Sequence, residues 1–279
     1  MVKITVLADN RPDPGNEALG TEHGLSFYIE FEGKKLLCDT GASSLFAENA
    51  KRLGVDLGAV DSVFLSHGHY DHTGGLKTFL ETNDTAKVYM SDKIFGRKFY
   101  SSRHTVKREI GTDGSLQKAY AGRFALIPGS CRISENIALV FNDSHEYPIP
   151  AANRFLTIAD NDGERPDDFS HEMSLVFNTP KGLAIISSCS HCGALNIIDS
   201  CSRFTGIGKV AAFVGGMHFV DYEGSEREVG AFSTAMAQVA PETIFYAGHC
   251  TGERAKAWFA SHGLSEKVKF FHTGSEFFV

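Results

Sequence analysis

The sequence contains 279 residues, 42% of them hydrophobic, which suffices for the core of one large α/β domain or two small ones. A formal net charge of -7 at pH 7 disfavours a surface that binds nucleic acid or anionic lipids. No apolar run approaches the roughly 18 residues of a membrane span, and the first residues lack the pattern of a secretion signal. Six cysteines are too few for a disulfide framework. We therefore expect a cytoplasmic protein with reduced thiols, and neither nucleic acid nor a membrane as its partner.

The first 90 residues alternate between strand and helix patterns. Glu32-Gly33 lies between two apolar runs and predicts a hairpin, and Gly54 ends a run of apolar residues at helical spacing. The predicted elements are strands at 3–8, 25–31, 34–38, 62–65 and 88–90, and helices at 45–53 and 73–82.

Residues 91–170 have a less regular pattern, with basic and aromatic residues between 97 and 108, and we interpret them as an insertion into a single domain spanning 1–279. Regular alternation returns afterwards. Strands are predicted at 173–178, 182–188, 210–214 and 243–246, and helices at 193–201, 227–239 and 252–260. This order predicts an α/β protein with two similar β-rich halves and helices packed outside.

The segment 66–75 carries the strongest chemical signal. His67, His69, Asp71 and His72 place three imidazoles and one carboxylate within six positions, in a turn between a buried strand and a helix. Neutral imidazoles bind a cation without cancelling its charge, so that a bound water can become acidic enough to react near neutral pH. The sequence therefore predicts a metal site, and its nitrogen and oxygen donors suit zinc, iron, manganese or cobalt.

Six residues cannot complete the coordination of a metal, so further ligands are expected elsewhere. His191 and His249 both follow an apolar strand and precede a helix, as the first motif does. Their shared placement predicts that both are ligands. His218 also follows a strand, in Gly215-Gly216-Met217-His218, and is either a pocket residue or a packed core residue.

This order of motifs resembles the metallo-β-lactamase superfamily across most of the chain. The resemblance implies an αββα sandwich of two mixed sheets with external helices and one or two divalent metals, with zinc as the principal candidate. It implies that His67, His69 and His191 hold the first metal, and Asp71, His72 and His249 the second. Asp39, in a Cys-Asp-Thr-Gly turn, would have a structural role or bind a metal ligand through a hydrogen bond.

Shorter segments resemble one subgroup of metal-dependent hydrolases, which includes the dihydropterin-ribofuranosylaminobenzene phosphate synthases. These segments begin at Thr5, Glu22, Cys189, Gly215 and His249. Many dinuclear members of the superfamily carry a metal-bridging aspartate in a Gly-Asp context, where this chain has Gly215-Gly216. We therefore expect one firmly held metal and a second that is held more weakly, unless His218, Asp221 or Glu223 compensates.

The motifs predict a metal-dependent hydrolase. Asp71 would orient or deprotonate the attacking water, and His218 would donate a hydrogen bond to the developing oxyanion or the leaving group. The basic residues between 97 and 108 and the subgroup favour a small phosphate-bearing substrate, with thioesters and lactones as other possibilities. The alternatives are a transferase of the pterin synthase type and a metal-containing sensor or binding protein without efficient turnover. The sequence does not predict an oligomeric state.

Three smaller features each have a functional and a structural interpretation. Cys189 and Cys192 could indicate a zinc knuckle or a redox pair, but the second spaced pair that a zinc knuckle needs is missing. Cys250, beside His249, either lines the pocket or packs against it. Glu22 and His23 lie in the early loop, where they belong either to the site or to a capped surface turn.

Overall fold

The computed structural model describes residues 1–103 and 106–279, so positions 104 and 105 of the predicted insertion lie outside the described residues. The chain divides into two compact units. Unit 1 comprises Met1–Gly129, Arg154–Met173 and His272–Phe278, and unit 2 comprises Ser130–Asn153, Ser174–Phe271 and Val279. The single domain expected from the sequence stays a prediction.

Most strands are short and rich in branched and aromatic residues. In chain order the described strands are β1 (Lys3–Ala8), β2 (Ser26–Phe31), β3 (Lys34–Cys38), β4 (Ser62–Phe64), β5 (Lys87–Ser91), β6 (Lys98–Ser101), β7 (Arg108–Glu109), β8 (Phe124–Ile127), β9 (Cys131–Arg132), β10 (Ile137–Phe141), β11 (Leu156–Asp160), β12 (Gly163–Pro166), β13 (Met173–Thr179), β14 (Gly182–Ile186), β15 (Val210–Gly215), β16 (Ile244–Ala247), β17 (Val268–Phe270) and β18 (Glu276–Phe278).

The helices separate the strands of both units. They are α1 (Leu45–Arg52), α2 (Tyr70–Thr73), α3 (Leu76–Thr82), α4 (Ser115–Ala119), α5 (Ala194–Thr205), α6 (Ser225–Val239) and α7 (Glu253–Ser261). Each element predicted outside residues 91–170 has a counterpart here, with ends that differ by a few residues. The predicted helix at 73–82 is divided, because α2 ends at Thr73 and α3 begins at Leu76.

A mixed sheet forms the centre of unit 1, with the strand order β18-β1-β2-β3-β4-β5-β8. Strands β18, β1, β2 and β3 pair antiparallel, whereas β4, β5 and β8 extend the sheet in parallel from β3. The carboxyl ends of β3 and β4 therefore lie side by side, and the Asp39 N–H donates to the Phe64 carbonyl at 2.9 Å. This pairing brings the turn after β3 next to the histidine motif after β4.

Apolar helix faces cover the parallel part of this sheet. Phe46 and Ala50 of α1 and Phe79 and Leu80 of α3 are buried in one cluster with Val63 of β4. Burying a phenylalanine side chain contributes roughly 1.5–3 kcal/mol relative to leaving it exposed. The helical spacing of these residues thus packs both helices against the sheet. In the chain, α1 precedes the motif and α3 follows it.

Residues 91–170 contribute strands to three sheets. Strands β6, β7, β11 and β12 form a small antiparallel sheet in unit 1, with the order β12-β11-β6-β7. From the same segment β8 joins the large sheet of unit 1, and β9 and β10 join the sheet of unit 2. Apart from the buried β10, the strands of this segment are short and partly exposed, which accounts for its irregular sequence pattern.

The sheet of unit 2 has the order β17-β16-β15-β14-β13-β10-β9. Strands β14, β15, β16 and β17 are parallel neighbours, and the near-continuous apolar sequences of β14 and β15 are typical of strands buried on both faces. Because parallel strands end at the same edge, the loops that follow β14, β15 and β16 lie together. These loops carry His191, His218 and His249.

Aromatic packing fixes the helices of unit 2 on their sheet. Phe232 of α6 contacts Phe245 of β16 at 5.8 Å between ring centroids and Phe259 of α7 at 6.4 Å.

Among the described residues, no helix is both long and apolar enough to cross a membrane.

Candidate metal centre

The histidine motif of unit 1 is compact and buried. The His67 ring centroid lies 4.5 Å from that of His69 and 4.2 Å from that of His72. Asp71 and His72 belong to α2, which begins directly after His69. None of these four side chains is exposed, and Asp71 is the most accessible residue of the group at 7%. The structure therefore gathers His67, His69, Asp71 and His72 at one place in unit 1.

Asp39 and Ser66 determine which nitrogen of two imidazoles carries the proton. Asp39 Oδ2 lies 2.7 Å from Ser66 Oγ and 2.7 Å from His72 Nδ1, so it accepts from both groups. Because the Ser66 hydroxyl proton is directed to Asp39, Ser66 Oγ accepts from His67 Nδ1 at 2.8 Å. Both rings therefore carry the proton on Nδ1 and present the lone pair of Nε2.

His67 is held in its neutral form. Burial lowers the pKa of His67 well below its ordinary value, and the neighbouring His72, His69 and His171 lower it further. Burial has this effect because it disfavours the charged imidazolium. A neutral imidazole is the form that binds a metal ion.

Asp71 also lies beside the imidazole of His23. Asn10 Nδ2 donates to His23 Nδ1 at 3.0 Å, which leaves the His23 proton on Nε2, 3.3 Å from Asp71 Oδ2. The structure thus places His23 at the motif. Glu22 has a different role, because its carboxylate accepts from the Ala42 N–H at 2.9 Å and from the Ser43 hydroxyl. Glu22 shapes the turn after β3 instead of entering the site.

Sequence analysis missed a buried carboxylate and imidazole next to His69. Gly68 N–H donates to His171 Nδ1 at 3.1 Å, so the His171 proton is on Nε2 and is donated to Asp167 Oδ2 at 3.2 Å. The same Asp167 oxygen lies 3.9 Å from His69 Nε2. Burial raises the pKa of Asp167, but the His171 hydrogen bond and the nearby His69 outweigh burial and hold this pKa well below its ordinary value.

Neither residue follows a predicted strand, which is the context that indicated the other histidines. His171 precedes β13 instead, in Asp167-Asp168-Phe169-Ser170-His171. The spacing of four residues between Asp167 and His171 was the available signal, although it is weak by itself.

Phe99 of β6 packs against His171, with its ring centroid 4.6 Å from that of His171.

In unit 2, Asn153 orients His191. Asn153 Nδ2 donates to the His191 carbonyl at 2.7 Å, and this directs Asn153 Oδ1 toward His191 Nδ1, 3.2 Å away. The His191 proton is therefore on Nδ1, and the lone pair is on Nε2. Sequence analysis did not single out Asn153, which lies 38 residues before His191.

His218 and His249 both occupy the left-handed region of backbone conformation, with φ of 51° and 49°. Such a conformation is uncommon outside glycine and costs of order 1–3 kcal/mol, so it persists where the surroundings enforce it. Both residues are buried, and the ring centroids of His218 and His191 are 4.2 Å apart. The structure thus brings two of the three histidines in the loops after β14, β15 and β16 into ring contact.

Hydrogen bonds tie together the loops that carry these histidines. Ser190 Oγ donates to the Gly216 carbonyl at 2.6 Å, which joins the loops after β14 and β15. The Met217 N–H donates to Thr251 Oγ1 at 2.9 Å, which joins the loops after β15 and β16. Hydrogen bonds therefore connect all three loops at this edge of the sheet.

The donor sets fit divalent transition metals. His67, His72 and His191 each have one ring nitrogen fixed by a hydrogen bond, which is the arrangement that orients metal-binding histidines in proteins. The remaining nitrogens and the Asp71 carboxylate are donors of the type that zinc, iron, manganese and cobalt accept.

The acids suggested as substitutes for a bridging aspartate are engaged or exposed. Asp221 Oδ2 accepts from the Glu253 N–H at 3.0 Å and Oδ1 from the Arg254 N–H at 2.9 Å, so Asp221 caps the first turn of α7. Glu223 is exposed.

Three of the basic residues between 97 and 108 lie beside carboxylates. Lys98 contacts Glu109, Lys107 contacts Glu164, and Arg97 lies 3.8 Å from Asp160. These pairs connect strands and turns of the small sheet. The segment therefore offers less net positive charge to an anionic substrate than its sequence suggests.

A cavity of about 140 Å³ opens in unit 2 beside the loops of His191 and His218. Its wall is almost entirely apolar. Residues of the loop before Ala151, of α5, of α6 and of the loop after β15 line it: Pro148, Ile149, Leu195, Met217, Phe219 and Phe232.

Residues 19–117 match the model of the metallo-β-lactamase superfamily. The 7,8-dihydropterin-6-methyl-4-(β-D-ribofuranosyl)-aminobenzene-5'-phosphate synthase of Methanocaldococcus jannaschii is 30% identical, over 98% of this chain and 95% of that protein. The chain belongs to the metallo-β-lactamase superfamily.

Solved structures confirm the fold of this superfamily member. A metal-dependent hydrolase of the β-lactamase superfamily has 28% sequence identity and a TM-score of 0.80, covering 100% of this chain and 99% of that chain. An isothiocyanate hydrolase from Delia radicum gut bacteria has a TM-score of 0.57 at 14% identity, covering 100% and 99%, and supports the fold alone. The predicted α/β fold class of the metallo-β-lactamase type is thereby confirmed.

Proposed function

We propose that this protein is a metal-dependent hydrolase of small anionic molecules. The observation that carries the proposal is the buried motif of unit 1, in which Asp71 Oδ2 lies 3.3 Å from His23 Nε2 and 3.6 Å from His72 Nε2. A carboxylate held between imidazoles has the chemistry to hold a water molecule and accept its proton. Membership in the superfamily supports the same reaction class.

The proposed ligands are those that the resemblance to the superfamily implies. His67, His69 and His191 would hold the first metal, and Asp71, His72 and His249 would hold the second. The protonation of His67, His72 and His191 on Nδ1 supports their part in this assignment. When bound, a divalent metal such as zinc, manganese, iron or cobalt supplies Lewis acidity to the reaction.

The chain's own groups have separate roles in the proposed reaction. Asp71 orients the attacking water and takes its proton, while the His23 Nε2–H group holds the Asp71 carboxylate in place. His218 donates a hydrogen bond to the oxyanion or the leaving group, a contribution that is largest where water is excluded. The burial of His218 supports this role.

We propose a small molecule with an apolar part and an anionic group as the substrate. The apolar cavity of unit 2 supports the first feature, because Met217 and Phe219, which line it, flank His218. A phosphate remains the favoured anion because the synthase relative is named for a phosphate product. Ester, thioester and lactone groups are the other candidates for the bond that is broken.

The second candidate is a transferase of the pterin synthase type. The synthase that matches 98% of this chain at 30% identity favours it. In such a reaction an aromatic carbon replaces water as the nucleophile, and a planar ring suits the apolar cavity. The roles of Asp71 and His218 as proton acceptor and hydrogen-bond donor carry over to this reaction.

Product analysis in ¹⁸O-labelled water separates the candidates. We expect protein purified without chelators to contain a transition metal, and its hydrolysis product from a panel of phosphate esters, thioesters and lactones to contain one ¹⁸O atom. Carbon–carbon bond formation with an arylamine supports the transferase instead. Full metal occupancy without turnover of any of these substrates supports a sensor or binding protein.

Matched variants test the residue assignment. His67→Ala and Asp71→Ala are expected to abolish turnover with the fold retained, whereas the exposed controls His262→Ala and Asp84→Ala keep it. Wild-type rates in His67→Ala or Asp71→Ala would refute the mechanism. Absence of bound metal, with no gain of activity on adding any transition metal, would remove the whole assignment.

A further inference from the structure

We propose that Cys189, His218 and Cys250 form an additional metal-binding subsite with two sulfur donors. One ligand atom from each residue lies within 4.8 Å of the others, which is a separation that a single ion can bridge. All three side chains are buried, with 3%, 4% and 8% of their surface exposed. The six ligands predicted from the sequence include none of these residues.

The topology of unit 2 brings these residues together. Cys189 follows β14, His218 follows β15 and Cys250 follows β16, which are parallel neighbours that end at one edge of the sheet. Cys250 Sγ lies 3.6 Å from the Cys189 carbonyl oxygen. The hydrogen bonds between the three loops described above hold this arrangement.

Gly216 leaves the space that the Cys250 sulfur occupies. A Cβ atom at position 216 would lie 2.3 Å from Cys250 Sγ and 2.8 Å from the Ser188 carbonyl oxygen, so neither contact is sterically possible. Gly215-Gly216 stands where many dinuclear members of the superfamily carry a metal-bridging aspartate, and this chain has no aspartate there. A thiolate at this place supplies the single negative charge that a carboxylate would supply.

The donor types define the class of ion. Two thiolates and one imidazole select zinc, cadmium or copper(I) over magnesium and manganese, which prefer oxygen donors. Three protein donors leave a fourth tetrahedral position open, as in zinc sites that bind water or a substrate. His218 can bind the ion through one ring nitrogen and keep the N–H group of the other, so its proposed role as a hydrogen-bond donor is compatible with this subsite.

Sulfur coordination has a direct spectroscopic readout. We expect the full-length protein loaded with cobalt(II) to show a sulfur-to-metal charge-transfer band in the near ultraviolet. Cys250→Ser and Cys189→Ser should each weaken or abolish this band. Cys201→Ser is the matched control, because Cys201 is an equally buried thiol on α5 outside the cluster, and it should keep the full band.

A measurement on the wild type keeps the proposal testable if the variants do not fold. X-ray absorption at the zinc edge should show sulfur scattering at about 2.3 Å. Nitrogen and oxygen scattering alone, or a cobalt band unchanged in both folded cysteine variants, would overturn the subsite. Neither readout depends on turnover, so the subsite and the hydrolase assignment can fail separately.

Discussion

Asp39 Oδ2 lies 2.7 Å from His72 Nδ1, and neither side chain is accessible to solvent. The same oxygen accepts from Ser66, whose Oγ contacts His67 Nδ1 at 2.8 Å. One carboxylate thereby orients two imidazoles of the motif and fixes both as Nδ1–H tautomers. Asp39 follows β3 and the motif follows β4, so the parallel pairing of these strands creates the contact.

Replacing Asp39 tests this relationship. In Asp39→Asn one oxygen becomes an NH₂ group, which cannot accept the hydrogens that Asp39 now accepts from both Ser66 and His72. Loss of such a partner typically lowers metal affinity by about 10- to 100-fold. Competition with a chromogenic chelator measures this change, with the exposed Asp84→Asn as control. Equal zinc affinity in Asp39→Asn and the wild type would contradict the proposed role.

Asp167, whose Oδ2 lies 3.9 Å from His69 Nε2, should position His69 through its charge. We expect Asp167→Asn to lower metal affinity by about 10-fold or more, because the carboxylate between His171 and His69 is lost. The neighbouring Asp168→Asn is the matched control. The chelator assay used for Asp39 applies here, and it separates a positioning role from a purely catalytic one. Unchanged affinity together with unchanged turnover would show that Asp167 has only a packing role.

Metal removal should destabilise the protein. A ligand that binds only the folded state at 100 times its dissociation constant stabilises that state by about 2.7 kcal/mol. We therefore expect chelation to lower the melting temperature and zinc to restore it. His67→Ala should reduce this shift, whereas the exposed His262→Ala should leave it intact. A melting temperature that does not respond to chelation in the wild type argues against a tightly bound metal.

Gly74 is required by close packing of the motif. A Cβ atom there would lie 2.1 Å from the Ala42 carbonyl oxygen and 2.6 Å from its carbon, and both are backbone atoms. We expect Gly74→Ala to lower the free energy of unfolding by about 1–3 kcal/mol or more. Gly122→Ala is the control, because a Cβ atom at Gly122 meets nothing within 4 Å. Urea denaturation measures both, and equal stability of the two variants would contradict the prediction.

Asp160 gives a pH dependence with a defined sign. Hydrogen bonds from Arg165, followed by that from the Asp162 N–H, lower the pKa of Asp160 from 3.8 to about 2. Because the folded state favours the ionised form, the stabilisation is present above pH 3.8 and is lost as the pH falls toward 2.

The difference in melting temperature between the wild type and Asp160→Asn should therefore be constant near neutral pH and shrink below pH 3.8. Asp84→Asn, at an exposed position, should show no such change. A difference for Asp160→Asn that stays constant throughout this acid range would show that the Arg165 contact does not favour the ionised form.

The sequence by itself determined the elements that depend on local patterns. Alternation of apolar residues located the strands outside 91–170, and the strand-turn-helix contexts located the motif, His191 and His249. Short-range spacing also indicated that His67, His69, Asp71 and His72 gather in one turn. Such inferences succeed because side-chain periodicity and turn chemistry act over a few residues.

Only the tertiary structure decided which distant groups support the motifs. Gly68 and His171 are 103 residues apart in the chain, and Cys250 and Cys189 are 61 residues apart, yet each pair is in hydrogen-bond contact. Their contacts depend on which strands become neighbours and on the small sheet built from the irregular segment. Because strand pairing is set by the packing of the whole unit, no local pattern encodes these contacts.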